Sequence, residues 1–440
     1  MAIIKPFKPL HFASRNGCLE RLITPPYDVI SPEQQAAFYE AHELNVIRLV
    51  LGKQYPDDSE ADNRYTRAAA TLKEWIDQGV LVSSDRPGLI IYQMEFERPD
   101  SGGRSTIDGI ASLVKAEDYG KGKVLPHEKT YRGPKQDQLN LLRACRAHVT
   151  PIHGLFSDRE NAVINEYKGV MKRRPDQEAV DLNGTRHRTW TLDDESTIQR
   201  IQSLLVNKSI FIADGHHRYE TSLAYRNEIR ESGPGDPEGG HEYVMMYLTS
   251  TSHPGLTILP AHRLVRGLDE DVVRNMLDKL RPYFEIEELS CPTEDTSEAA
   301  HVLTGMVSPF SYSAGNFGVL LNFQKGLKIL KLKSLEAIDP LLDPAIPPDL
   351  RYLDVTILRE VVMDYALKLD RNNAEGHIEY TPSPSEALEK VKSGEVQVCF
   401  VLNPTRVEQV QAAAELGHKL PHKATYFYPK VASGLIMNVF

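Results

Sequence analysis

The chain has 440 residues, 41% hydrophobic and 25% charged, with 51 lysines and arginines against 61 aspartates and glutamates, a net charge of −10. That length predicts two or three lobes rather than one core, near-average composition excludes a mainly disordered or fibrous chain, and the acidic balance argues against nucleic-acid binding. Four scattered cysteines (Cys18, Cys145, Cys291, Cys399) without a Cys-x-x-Cys pair, a start without a secretory pattern and no run of roughly 20 apolar residues point to a reducing, cytoplasmic setting away from membranes.

In chain order, Thr24 to Asp28 is a proline-stiffened loop, and Ser31-Pro32-Glu33 reads as an N-cap with proline at the first helical position. Val46 to Leu51 reads as a strand. Thr66 to Asp77 reads as a helix stopped by Gly79, and Leu89 to Phe96 as a strand turning at Ser101-Gly102-Gly103 to pair with Ile107 to Lys115. Pro134 to Ala147 and Ser196 to Leu205 carry helical apolar spacing. Ser209 to Ala213 is a short buried strand, followed by a helix from near His217 toward Arg230. After a flexible loop over Gly233 to Gly240, Glu242 to Thr249 and Leu256 to Leu259 read as strands.

The stretch from Leu268 to about Ala366 carries few sharp signals. Beyond it come strand Ile378 to Thr381, helix Ser385 to Lys392, strand Val396 to Leu402, helix Thr405 to Leu416 and strand Ala424 to Tyr428. Strands alternating with helices predict an α/β fold, with α+β as the alternative. Three parts are expected: a core over 1–265, a less legible middle lobe over 266–366, and a C-terminal α/β segment over 367–440 that returns to the core.

The most informative stretch is Asp214-Gly215-His216-His217-Arg218, an apolar strand entering a turn from which a helix leaves. N–H groups at a helix start lack intrahelical partners and point at whatever lies beyond the strand. Acidic residues usually occupy such a first turn, yet here it carries His216, His217 and Arg218. That crowding of donors predicts an anion site, with Arg218 gripping two phosphate oxygens. On this reading, Arg218→Ala leaves stability level or slightly raised, because a positive charge leaves the positive end of a helix. Metal binding by the adjacent histidines is disfavoured, since neighbours on a helix point apart.

Other clusters are candidates beside more ordinary readings. Leu125 to Lys135 gathers His127, Glu128, Lys129, Arg132 and Lys135, which would supply a general base (Glu128) and phosphate donors, or form a solvated charged loop. Asp28 would hold Mg²⁺ or a substrate amine, or merely close its turn. His262-Arg263 and the lysines Lys423 and Lys430, which flank a tyrosine-bearing strand, are further anion contacts or structural groups. The sequence contains no Gly-x-x-x-x-Gly-Lys, Gly-x-Gly-x-x-Gly, Gly-x-Ser-x-Gly or His-Glu-x-x-His, which disfavours a P-loop enzyme, a dinucleotide fold, an α/β-hydrolase and a zincin.

The run Ile212 to Glu220 resembles the signature of the ParB/sulfiredoxin superfamily, which includes kinases acting on free serine. More closely, the chain resembles a bacterial and archaeal family known as domain of unknown function 1015. The resemblance is carried by Pro26 to Ser31, Leu125 to Thr130, Ala213 to Thr221, Leu259 to Arg263, and Thr425 to Lys430 with Ser433-Gly434-Leu435. Leu420-Pro421-His422-Lys423-Ala424 departs from the family's commoner pattern at residue 422.

The resemblance implies a ParB/sulfiredoxin-like core with additional lobes and a phosphate- or nucleotide-handling site, with ATP or ADP and Mg²⁺ as cofactors. The expected activity is a phosphotransferase acting on a small hydroxyl metabolite, such as free serine or a phosphorylated relative. The alternatives are a non-enzymatic nucleotide sensor and a metal-dependent hydrolase. In the expected scheme Glu128, Asp28, Asp214 and His216 are catalytic, and Asp214 also holds the metal. Gly215, His216, His217, Arg218, His127, Lys129, Lys135, Arg263, Lys423 and Lys430 hold phosphate or nucleotide.

Overall fold

The computed structural model describes residues 2–99, 102–128, 130, 132–233, 235–289, 295–307, 314–324, 326–370, 373–374 and 376–440. Lys129, Cys291 and the turn residue Ser101 lie outside them, as does Pro234 of the 233–240 loop. The chain divides into two units, Met1–Thr257 with Pro429–Phe440, and Ile258–Tyr428.

The first unit is built on a mixed sheet of nine strands among the described residues. Its long members are β1 (Leu89–Glu97) and β2 (Arg104–Lys115), followed by β3 (Val124–Leu125), β4 (Ile152–Phe156), β5 (Gln177–Val180), β6 (Arg186–Leu192), β7 (Ile210–Asp214) and β8 (Tyr243–Ser250). They lie in the order β3-β7-β4-β8-β2-β1-β6-β5, and Ile4–Lys5 adds to β2. The β1–β2 hairpin is antiparallel, as its alternating pattern and the glycines at 102 and 103 predict.

Earlier in the chain lie the helices α1 (Arg64–Asp77) and α2 (Arg132–Cys145), and two later helices pack on the sheet. Ile198, Ile201 and Leu205, at spacings of three and four, point from α3 (Glu195–Leu205) into the main core, and Tyr219 and Leu223 do so from α4 (His216–Glu231). Asp194 caps α3, its carboxylate accepting from the Thr197 N–H at 2.8 Å. Such a cap contributes about 1 kcal/mol. A second core gathers Phe12, Leu22, Phe38, Leu72, Trp75 and Met437, drawing on the helix Arg64–Asp77 and the chain's last residues.

Val46 to Leu51 is helical, not extended, over Ile47–Val50. Asn45 accepts a hydrogen bond from the Ile47 N–H at 2.8 Å and starts the turn. Ile47 and Leu49 are both fully buried, and an apolar run enclosed on all sides has no period that separates helix from strand.

The second unit has its own sheet, formed by β9 (His262–Val265), β10 (Phe284–Leu289), β11 (Asn316–Leu321), β12 (Leu327–Leu332), β13 (Ile378–Thr381) and β14 (Val398–Val401). Their order is β10-β12-β11-β14-β9-β13, and all five neighbouring pairs are antiparallel. Helices Thr296–Val307 and Pro384–Lys392 supply its core through Ala299, Leu303, Leu388 and Val391.

The three-part division expected from sequence is corrected here. β9 pairs with β13 and β14, more than a hundred residues later, so 258–265 and 367–428 belong with the middle segment. Only Pro429–Phe440 returns to the first unit. The middle is hard to read because it also contains a nine-residue π-helical stretch, Leu358–Ala366, whose period matches neither a 3.6-residue nor a two-residue template.

Candidate functional site

The strand β7 ends in a β-bulge: Ile212 faces Gly154 of β4, yet Asp214 faces His153, leaving Ala213 as the extra residue. Bulges re-aim the side chains beyond them. Gly215 then adopts φ +96°, a left-handed conformation, and a Cβ there would come within 2.9 Å of the Arg218 guanidinium. Both facts require glycine. The helix α4 opens directly afterwards with His216, His217 and Arg218, and has no acidic residue in its first turn.

Asp214 is the electrostatic centre. Its Oδ2 accepts from Arg218 Nη2 at 2.8 Å, and its Oδ1 pairs with the Lys430 ammonium. Burial pushes this carboxyl up, but Lys430 and Arg218 together outweigh it and hold it well below the ordinary range. Arg218 Nη1 donates to the Pro151 carbonyl at 2.7 Å and approaches that of Thr150 at 3.4 Å. Lys430, Asp214 and Arg218 are only 13, 14 and 12% exposed.

The expected free two-pronged grip of Arg218 is therefore corrected, because both terminal nitrogens already have protein partners. So is the expectation that its removal leaves stability unchanged: Arg218→Ala would strip a donor from the Pro151 carbonyl and a cation from a buried carboxylate.

Beside Asp214 stands His153, its Nε2 at 2.9 Å from the Thr249 hydroxyl. Burial pushes its pKa down to about 4, so the ring is neutral at pH 7.

A second segment reaches the turn because β3 runs parallel to β7, with Val124 opposite Ile210 and Leu125 opposite Phe211. The chain leaving β3 therefore arrives beside the end of β7. The His127 N–H donates to His216 Nε2 at 3.2 Å, and the two rings meet edge-on at 4.6 Å. An accepting Nε2 places the proton of neutral His216 on Nδ1, which lies 3.8 Å from a carboxylate oxygen of Glu128.

The segment is anchored farther along by Glu220, which accepts from the Thr130 hydroxyl at 2.6 Å and from the Lys135 ammonium at 3.0 Å. Sequence reasoning missed Glu220. Its signal is the spacing of four from His216, which sets both on one side of α4. Lys135 is thus tied to Glu220, and His217 is half-buried on the same first turn.

Asp28 is exposed, in a single 3-10 turn over Tyr27–Val29. The half-buried neighbour of the charge cluster is Tyr27, which was not anticipated. Burial first, then Asp28, raises its hydroxyl pKa, while Arg218 pulls it down.

The remaining expected residues fall elsewhere. Arg263 belongs to the second unit, buried, pairing with the Ala261 carbonyl and donating to that of Lys423 at 3.2 Å. Its guanidinium lies 5.3 Å from the centre of the Tyr380 ring, and burial lowers its pKa to about 10. Its assignment to phosphate is corrected, because its charge is enclosed by the second unit's own groups. Lys423, in the same unit, has φ +54° and serves Arg263 through its carbonyl.

Metal binding at Asp214 is corrected as well. Both of its oxygens face cations, which would repel a dication, and no group of three or more His, Cys, Asp or Glu converges on one point among the described residues. These residues do not fit Mg²⁺.

Among the described residues no helix is long and apolar enough to cross a membrane. No curated protein matches the chain. Solved structures similar to it include a free serine kinase in complex with AMP, 13% identical, covering 70% of this chain and 88% of that one with a TM-score of 0.35. A conserved hypothetical protein from Pyrococcus furiosus is 12% identical over 70% and 89% of the two chains, TM-score 0.32. SbnI from Staphylococcus aureus, truncated at its C-terminus, is 10% identical over 74% and 86%, TM-score 0.35. Residues 4–356 match the family described as protein of unknown function DUF1015, and the chain belongs to that family.

Proposed function

We propose that the protein binds a phosphate-bearing ligand, such as ADP or ATP, at the Asp214–Arg218 turn, and that it is a phosphotransferase acting on a small hydroxyl metabolite such as free serine or a phosphorylated relative. The observation that carries this reading is the charge balance. Two cations, Lys430 and Arg218, share one carboxylate at the start of a 16-residue helix. The cluster therefore has an excess positive charge in a mostly buried setting, reinforced by the positive end of the helix dipole. An excess charge held away from water is unfavourable until an anion joins it, and the first N–H groups of α4 suit phosphate oxygens.

In this scheme Lys430 and the N–H groups after Gly215 hold the phosphate, and Asp214 fixes the cations rather than a metal. His216, oriented by the His127 N–H, directs its Nδ1 proton toward Glu128. Glu128 takes the proton of the acceptor hydroxyl as that oxygen bonds to the terminal phosphorus. The bond from phosphorus to the bridging oxygen breaks, and the remaining nucleotide leaves with its electron pair. Phosphoryl transfer asks mainly for positioning and charge neutralisation.

Incubating the protein with labelled ATP or ADP and a mixture of hydroxyl metabolites, serine included, tests the reading. Transfer should be lost in Glu128→Gln while nucleotide affinity remains. Equal transfer by the variant removes Glu128 as the base, and absence of any nucleotide binding removes the proposal.

A further inference from the structure

Within the second unit lies a cavity of about 460 Å³, inside the range of small-molecule sites, about 300–1,000 Å³. Asp343, Glu360, Asp364 and Asp370 bring carboxylates to its wall, and the other lining residues, Leu341, Leu342 and Pro344, are apolar. No lysine, arginine or histidine lines it among the described residues. Glu360 and Asp364 come from the π-helical stretch Leu358–Ala366, four positions apart and so on one side of it.

Glu360 is the group that asks for a guest. Its side chain is only 7% exposed. Oε1 accepts from Arg359 Nε at 3.2 Å, whereas Oε2 has no hydrogen-bond partner among the described residues. Oε2 nonetheless keeps some accessible surface, and the residue lines the cavity, so that oxygen opens into it. A nearly enclosed carboxylate oxygen without a donor is unfavourable. Asp364 is half-buried, and its carboxylate has neither a hydrogen bond nor an ion pair among the described residues. The Asp343 carboxylate accepts from the neutral Ala345 N–H at 2.9 Å. Arg359 offsets Glu360, so Asp343 and Asp364 leave an excess of two negative charges before Asp370 is counted.

Three properties of this wall select the guest. Its charge draws a cation. No group of three or more carboxylates, cysteines or histidines converges closely enough to hold a metal ion among the described residues, so the positive charges that match it are spread out. Its side chains offer acceptors and no donor, so a guest that brings acceptors of its own, such as a peptide carbonyl or an amino-acid carboxylate, would leave them unpaired against this wall. A polyamine carries donors only, and its methylenes can lie on leucine and proline as lysine stems lie on apolar surface.

We propose that this cavity binds a linear aliphatic polyamine, with ammonium groups on Glu360, Asp364 and Asp343 and the methylene chain against Leu341 and Leu342. The inference rests on the second unit alone and is independent of the phosphate site.

Isothermal titration of the full chain with spermidine, 1,4-diaminobutane and butylamine, at constant ionic strength, tests it. Spermidine should occupy one saturable site with a Kd on the order of 0.1 mM. Each ammonium removed along the series should weaken binding about tenfold, the lower end for a charge-assisted contact. Asp364→Asn and Glu360→Gln should each weaken spermidine by a similar factor. Glu97→Gln, which removes an exposed carboxylate of the first unit, should leave its affinity unchanged. Binding that does not saturate, equal affinity for butylamine and spermidine, or unchanged spermidine affinity in Asp364→Asn would overturn the proposal. A loss in Glu97→Gln as large as in Asp364→Asn would also overturn it, since diffuse attraction to an acidic chain would then be the cause. If Glu360→Gln fails to fold, Asp364→Asn and the amine series decide.

Discussion

Replacing Lys430 with methionine keeps most of the aliphatic bulk of a side chain that is only 13% exposed and removes one of the two cations on Asp214. The carboxylate then relies on Arg218, at 2.8 Å. A hydrogen bond to a charged group contributes about 1.5–3 kcal/mol, whereas orphaning a buried charge completely costs about 3–5 kcal/mol. Because one charged partner remains, a loss of about 2 kcal/mol is expected.

The loss has a pH signature. The folded pKa of Asp214 is held below its ordinary value, so the stabilisation is fully present above the unfolded pKa of about 3.9 and is lost as pH falls through the folded value. In the variant the folded pKa moves up. Asp214 therefore titrates there at a higher pH than in wild type, and the gap between the two proteins begins to close at that point. Urea unfolding of both proteins from neutral pH into the acid range reads the gap directly. Equal stability at neutral pH, or a gap that widens on acidification, would refute the reasoning.

Arg218→Ala should lose about 3 kcal/mol in the same unfolding assay, since it strands the Pro151 carbonyl as well as weakening Asp214; an unchanged midpoint would restore the view of Arg218 as a free ligand contact. Gly215→Ala should lose about 2 kcal/mol from its left-handed backbone and the close guanidinium, and a neutral result would mean that the turn can relax. His153 has a folded pKa depressed from 6.5 to about 4, so its contribution, about 3 kcal/mol, is present above 6.5 and fades as pH falls toward 4; His153→Phe should flatten that part of the stability profile, and an identical slope in the variant would count against a buried neutral ring. Glu220→Gln should loosen the 127–135 segment through its bonds to Thr130 and Lys135, seen as faster amide exchange there, with unchanged exchange as the contrary result.

The turn was legible in the sequence because its signals are local: an apolar strand, a glycine where the backbone turns left-handed, and basic residues where a helix start normally takes acidic ones. Its partners are not local. Lys430 reaches Asp214 from 216 residues away, so the sequence could propose both residues yet could not pair them, and Arg218 looked free for the same reason. The α/β class was readable from alternating elements, but strand order was not, which is why β9 was grouped with the wrong unit. Arg263 illustrates the same limit. A His-Arg pair after a strand looks identical whether it faces a ligand or, as here, its own unit's carbonyls and the Tyr380 ring.

The central claim is that the excess positive charge at Asp214, Arg218 and Lys430 holds phosphate. Isothermal titration of wild type and Lys430→Met with ADP and with inorganic phosphate tests it most directly. The account predicts saturable one-site binding to wild type, weakened about ten- to a hundredfold in the variant, as the loss of one charge-assisted contact requires. Binding of equal strength by the two proteins would contradict it.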